Sequence, residues 1–281
     1  MKPLFRTLAC LLVICLCAPL FAHADQMTYE GPGWDTPEDA VRYYLEGLKE
    51  QDLGKMIGAY AVETYIDHFD LRAMLTRMGA YTPGMTPRLP SAGDLLRAIN
   101  IEARKNEIVH SIQFQMTSIC LPEHDFSRSI PFARDTIDEE VEAFVGGLEK
   151  AFGAIDFGTL NVLLFVPPEF ISELYASESN QENIKRQIAP TGADEARSVV
   201  AVFAVGSKAC VLFCDVMRYE DRWFMLRAQG NIGNLLGLSW DTGGLIAVSR
   251  IELLALWNEL GPDVQQQLGM DIYDLLKLLG E

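Results

Sequence analysis

Two long apolar runs, 197–205 and 209–219, flank a short turn at Gly206-Ser207. Nothing else in the chain restricts the fold as strongly. A two-residue connection with glycine first is the chemistry of a primed β-turn, whose twist matches that of two antiparallel strands. A charged turn at Glu220-Asp221 then leads into a third short apolar run, 222–227. The spacing predicts an antiparallel meander of three strands. Thr159 opens a further apolar run to Val166, stopped by Pro167-Pro168, which reads as a buried strand.

The segments around this meander have helical period. Asp35-Thr36-Pro37-Glu38-Asp39 is a helix start: Asp35 or Thr36 can cap, Pro37 suits the first turn, and two carboxylates face the positive end of the dipole. Val41, Tyr44, Leu45 and Leu48 follow at helical spacing. Further helices are expected over 53–68, 70–78, 94–105 and 138–152, with polar helix and loop over 169–190. Residues 25–33 read as a flexible leader and 82–90 as a proline-rich loop. Over 108–120 apolar and polar residues alternate, which predicts a half-buried strand with His110, Ile112, Phe114 and Met116 on one face. Beyond Gly230 the chain is expected to be helical to its end, with helices over 251–260, 263–268 and 272–279. The resulting class is α+β: a curved antiparallel sheet packed on N-terminal helices, with helical insertions and a helical C-terminal tail.

Residues 1–24 have the layout of a cleavable secretory signal. Lys2 and Arg6 precede an apolar run over 8–20, and Ala22-His23-Ala24 supplies small residues at the positions a signal peptidase reads. The run is shorter than the ~20 residues of a spanning helix. Cys10, Cys15 and Cys17 lie inside it rather than at its end, where a lipid attachment site would place one. The expected organisation is therefore a signal peptide (1–24), an α+β domain (25–240) and a helical extension (241–281), in an exported protein of the periplasm or the extracellular medium. No Asn-x-Ser/Thr acceptor is present, and a bacterial origin is the simpler reading.

The full chain carries 23 basic and 39 acidic residues; removal of Lys2 and Arg6 leaves 21 basic residues and a net charge of −18. Such a chain does not attract nucleic acid or anionic lipid through bulk charge. Three cysteines follow the leader. Cys210 and Cys214 lie four residues apart on one predicted strand, ~13 Å, beyond the ~7 Å reach of a disulfide. Cys120 could bridge to one of them; buried thiols are the alternative.

The segment Thr36-Pro37-Glu38-Asp39-Ala40-Val41, continued through Tyr44-Leu45 and Leu48-Lys49 to Asp52, resembles the opening helix of the nuclear transport factor 2-like superfamily, which includes ketosteroid isomerase and SnoaL-like proteins. Val216-Met217-Arg218-Tyr219-Glu220-Asp221-Arg222-Trp223-Phe224 is similar to its closing hairpin. Gly230-Asn231-Ile232-Gly233-Asn234-Leu235-Leu236-Gly237 looks like a segment of small exported bacterial proteins of this kind. The resemblance implies a cone-shaped domain whose sheet and helices enclose a pocket. It covers the ends of the core, while 66–107 and 121–196 are longer than a minimal domain needs.

Within such a pocket, the cluster of Tyr65, Asp67 and His68, together with His110, supplies the candidate acid–base groups. A carboxylate against an apolar wall has a raised pKa and can act as a base. A helix-end Asp-His pair is otherwise a solvated cap, and a lone histidine on an apolar face a packing residue. His68, His110 and His124 have no ligand spacing for a metal. Asp135, Asp138, Glu139, Glu140 and Glu142 lack the glycine and alternation of a calcium loop. Asp241-Thr242-Gly243 matches the aspartic protease tripeptide but occurs once, whereas that chemistry needs two carboxylates. No cofactor is implied. The expected function is a non-catalytic binding or interaction module, with a small apolar or amphipathic ligand in its pocket or an envelope protein docked on its leucine-rich tail. The alternative is a pocket enzyme of isomerase or hydratase type using Asp67, His68 or His110.

Overall fold

The computed structural model describes residues 28–81, 88–89, 93–121, 131–134, 137–206, 208–238, 242–259, 262 and 265–266. The signal-peptide assignment, His124, and the helices expected over 272–279 and most of 263–268 lie outside the described residues.

Helix α1 (Pro37–Glu50) begins where the sequence places it, with Thr36 Oγ1 accepting from Asp39 N at 3.2 Å. Asp52 caps the next short helix, α2 (Leu53–Gly58), and Asp70 caps α4 (Leu71–Met78) through Ala73 N. The helix expected over 53–68 is broken: α3 (Glu63–Asp67) is separate, because the intervening backbone pairs with a strand. Ala61 N donates to Met225 O at 3.1 Å, and Met225 N to Ala59 O at 2.9 Å. The expected leader is not free either. Glu63 accepts from the backbone N–H groups of Tyr29 and Glu30, while Glu30 accepts from those of Val62 and Thr64. Burial pushes the Glu30 carboxyl above its ordinary range.

The strand expected over 108–120 does not form. Those residues continue a 27-residue helix, α5 (Asp94–Cys120). Its buried positions include Ile101, Arg104, Ile108, Ile112, Gln115 and Ile119, spaced by three and four. This segment satisfies both periods. No glycine or proline interrupts it after Gly93, so the helix propagates through it. His110 consequently loses its inward placement and stands exposed on the helix.

Helix α6 (Ile137–Gly153) and strand β1 (Asn161–Val166) follow as expected. A one-turn helix, α7 (Pro168–Ile171), and α8 (Glu178–Ile188) connect to the meander: β2 (Glu195–Val205), β3 (Lys208–Tyr219) and β4 (Arg222–Ala228). Gly206 adopts φ +56° at the hairpin turn, which only glycine does without strain. The sheet order is β1-β2-β3-β4, antiparallel throughout. After α9 (Gly230–Leu235), the chain returns as β5 (Leu245–Val248) and then α10 (Arg250–Glu259). The strand β5 falls where a helical tail was expected. It pairs with the first half of β3, on the edge whose second half pairs with β4.

Strands β2 and β3 are apolar at nearly every position because both sheet faces are covered. Val199, Ala201, Phe203, Cys210, Leu212 and Cys214 join the core shared with α1, α2, α3 and α5. Val200, Val202, Ala204, Ala209 and Phe213 face a second cluster containing Ile184, Ile232, Leu253 and Trp257. The tail residues Leu253 and Trp257 thus pack on their own domain. All three cysteines are buried and free. Cys120 sits at the end of a helix, not of a neighbouring strand, and the bridge is not formed. Burial raises all three thiols, Cys210 to about 12.

Candidate functional site

A cleft of about 520 Å³ lies where α4, the middle of α5 and α8 meet the start of β2 and the end of β4. Its lining contains Arg77, Arg88, Arg104, Arg197 and Arg227 against only two carboxylates, Glu107 and Asp215. This is a cationic cleft in an acidic chain. Another cleft, of about 640 Å³, reverses the balance: Glu38, Glu169, Asp194 and Glu195 outnumber Lys185 and Arg197.

Each arginine is placed by a specific contact. Arg197 is turned outward: its Nε pairs with Glu195 Oε1 at 2.6 Å and its guanidinium lies 5.5 Å from the Trp223 ring centroid, and neither partner lines this cleft. Arg104, 7% exposed, reaches across the helix–sheet interface. Its Nη2 donates to Leu226 O and its Nη1 to Glu107 Oε2 at 3.2 Å, while the guanidinium lies 4.6 Å from the Tyr65 ring centroid. Leu226 is available because the β3–β4 register shifts there: Asp215 opposes Arg227, but Val216 opposes Met225. The extra residue is a bulge, a feature that re-aims the groups beside it. Arg88 donates to Tyr65 Oη at 2.7 Å and to Glu107 Oε1 at 2.5 Å, over the rings of Tyr65 and Phe69. Arg77 Nη1 approaches Gln187 O at 3.4 Å.

Asp215 anchors the floor. It is the directly opposed partner of Ser198, whose Oγ donates to Oδ1 at 2.7 Å. Asn231 N donates to the same oxygen at 2.8 Å, and Arg227 Nη2 to Oδ2 at 3.1 Å. Gly230 lets the chain pass this carboxylate, since a Cβ there would stand 2.4 Å from Asp215 Oδ1. The network extends outward: Asn231 Oδ1 accepts from Asn180 Nδ2 at 2.9 Å, and Ser198 N donates to Tyr175 Oη at 2.7 Å. A carboxylate here orders groups and balances Arg227. The histidines expected as acid–base groups do not line this cleft.

The sequence-predicted residues are placed elsewhere. Asp67 is exposed and bound to Arg97 by two 2.6 Å contacts, Nε to Oδ1 and Nη2 to Oδ2, which tie α3 to the first turn of α5. His68 is also exposed; its Nδ1 meets Thr64 O at 2.9 Å and its ring lies 5.0 Å from that of Tyr219. His110 stacks edge-on to Phe114, meets Gln113 Oε1 at 3.4 Å and lines a separate cavity of about 250 Å³. Among the described residues no hydrogen bond, ion pair or ring contact joins His110 to Asp67 or His68. Of the expected Tyr65, Asp67 and His68 cluster, Tyr65 alone lines the arginine cleft. The arginines and Asp215 were missed. A signal existed for Asp215, which with Arg218 is one of two charges inside the apolar run 209–219. No spacing links Arg77, Arg88, Arg104 and Arg227, which only the tertiary fold assembles.

Among the described residues, no three His, Cys, Asp or Glu side chains gather as metal ligands, and no helix is long and apolar enough to cross a membrane. No protein-family model matches the chain. No curated protein matches it either. Among solved structures it is similar to a cystatin-like protein from Ruminococcus gnavus ATCC 29149, with a TM-score of 0.36 and 16% identity. The match covers 67% of this chain and 39% of that one, so it spans about two fifths of that protein's length.

Proposed function

We propose that this chain is an exported, non-catalytic module that binds a small organic anion in the arginine cleft. The carrying observation is the reversal of charge: five arginines and two carboxylates line the cleft of a chain with 39 acidic and 23 basic residues. With Arg197 paired to Glu195, the other four guanidiniums still hold more N–H donors than two carboxylates can accept, and their planar forks match a carboxylate in two-point fashion. Its volume of about 520 Å³ is in the usual range for a small-molecule site. Tyr65, Phe69, Met74, Ile184 and Leu226 supply apolar wall for the body of the ligand. The export element of this reading rests on residues 1–24 alone.

The finer fold reading belongs to the same proposal. The second segment that resembles the nuclear transport factor 2-like superfamily is met by the residue two before the first, with Trp34 and Trp223 exchanging backbone hydrogen bonds of 3.0 and 2.8 Å. In a cone of that kind the interior would here be filled by Tyr44, Tyr60 and Gln115, displacing the usable cleft toward α4 and α8.

The test uses the full chain, expressed with its leader in a bacterial host and purified from the envelope or medium. Its intact mass is expected to lack residues 1–24. Octanoate and benzoate should raise its thermal midpoint, octanol should not, and Arg77→Ala with Arg197→Ala should abolish the shift. Equal shifts with octanol, or none with any carboxylate, would remove the anion reading.

A further inference from the structure

A smaller cavity, of about 250 Å³, shares Arg104, Glu107, Leu226 and Arg227 with the arginine cleft. Ile108, Phe114 and Ala228 add apolar wall. Two buried polar side chains also line it. Tyr60 and Gln229 are each 1% exposed, and neither Tyr60 Oη nor Gln229 Oε1 has a hydrogen-bond partner among the described residues. Burial pushes the Tyr60 phenol up, and neighbouring Gln115 does not reach hydrogen-bond geometry with it. Its own amide is engaged, with Oε1 accepting from Tyr44 Oη and Nε2 donating to Gly243 O at 3.0 Å.

The orientation of Gln229 is fixed by chemistry. Its Nε2 donates to Leu238 O at 2.6 Å and to Asn234 Oδ1 at 3.1 Å. A backbone carbonyl only accepts, so the amide cannot be flipped to bring Oε1 there. The backbone of Gln229 is also unusual, at φ +71° and ψ −53°, in the strained γ-turn region. It is held by Gln229 N donating to Phe213 O at 2.7 Å and by Gly233 N donating to Gln229 O at 3.0 Å. Gly244 presses against it so closely that a Cβ would stand 1.9 Å from Gln229 N. A strained residue with an orphaned acceptor, and a residue with an orphaned phenol, both form part of the wall of one cavity, with the two atoms themselves buried behind it. Buried groups without partners are costly and need a reason; local strain of this kind clusters where ligands are held.

We propose that this cavity is a binding subsite for an uncharged head group on a small apolar body. The head, a carboxamide or a hydroxyl, donates to Gln229 Oε1 and accepts from Tyr60 Oη. The inference stands on the cavity and its two unpartnered atoms, and does not rest on anion binding in the neighbouring cleft.

The experiment is a nitrogen–proton correlation titration of the purified protein with benzamide, benzyl alcohol and toluene at millimolar concentration. Benzamide or benzyl alcohol is expected to shift the Gln229 side-chain amide and the Gly243 backbone signal, and which of the two binds tighter identifies the head. Tyr60→Phe should weaken that probe about tenfold, the value of one hydrogen bond, while leaving the thermal midpoint unchanged or raised, since its hydroxyl has no protein partner to lose. Arg77→Ala with Arg197→Ala should leave this binding intact, which separates the subsite from the anion reading. No shift with any probe, equal binding of toluene, full affinity in Tyr60→Phe, or a destabilised Tyr60→Phe would each overturn the proposal.

Discussion

Replacement of Asp215 by alanine tests whether the polar floor of the cleft is a structural keystone. The carboxylate is 8% exposed and accepts from Ser198 Oγ, Asn231 N and two nitrogens of Arg227. Removing one partner of a fully buried ion pair costs about 3–5 kcal/mol, because the other charge is left uncompensated. Arg227 is 33% exposed, and its Nη2 also donates to Gln187 Oε1 at 2.7 Å, so water and Gln187 recover part of that cost. The loss of the Ser198 and Asn231 bonds adds to it. The expected destabilisation is about 3 kcal/mol, or roughly 6–12 °C in thermal midpoint for a domain of this size. Asp215→Asn keeps an acceptor for Ser198 and Asn231 and should cost about 1–2 kcal/mol. If an unpaired Arg227 causes most of the loss, Arg227→Met in the Asp215→Ala background should restore part of it, since replacing both partners of a pair is nearly neutral. Urea and thermal unfolding followed by circular dichroism measure all four proteins. An Asp215→Ala protein within about 1 kcal/mol of the wild type would refute the argument, as would a double variant less stable than the single one.

The thiols predict a pH limit. Burial raises Cys210 from 9.0 to about 12 and Cys214 further still, so the folded state keeps protons that the unfolded chain releases. The stability contributed by these protonated thiols is fully present below pH 9 and is lost as pH rises toward pH 12 through Cys210. Each group contributes a slope of about 1.4 kcal/mol per pH unit in that window. Denaturation curves from pH 8 to 11 should show this loss, and Cys210→Ala should reduce it; an unchanged slope would contradict it. Native protein should also react with a thiol reagent far more slowly than unfolded protein, which exposes three thiols beyond the leader. Gly244→Ala should prevent folding or cost more than about 3 kcal/mol, because its Cβ would meet backbone atoms of Gln229 at 1.9 and 2.4 Å and its φ is +71°; soluble expression and thermal unfolding report this. Asp67→Asn, His68→Ala and His110→Ala act on exposed side chains and should each change stability by under about 1 kcal/mol. They should also leave octanoate binding intact; loss of binding in any of them would return that residue to the site.

Local chemistry determined much of this fold before any packing was considered. Thr36-Pro37 starts α1, and Gly206 marks the hairpin, because capping and left-handed backbone depend on a few adjacent residues. The continuous apolar character of β2 and β3 likewise foretold strands, though not that both faces are covered. Misreadings came where local signals were degenerate. Residues 108–120 satisfy alternation and helical spacing together, and the core chose the helix because Ile108, Ile112, Gln115 and Ile119 then share one buried face. Residues 245–248 became a strand because β4 leaves half of one β3 edge open, a vacancy no local pattern can express. The site depends most on tertiary structure. Arg77, Arg88, Arg104 and Arg227 come from separate elements, and Leu226 O meets Arg104 only through a bulge in the β3–β4 register. Sequence determined the strands, the caps and the acidic surface through near neighbours. Tertiary structure decided where charge reverses sign and where polar atoms are left without partners, because those properties arise from groups far apart along the chain.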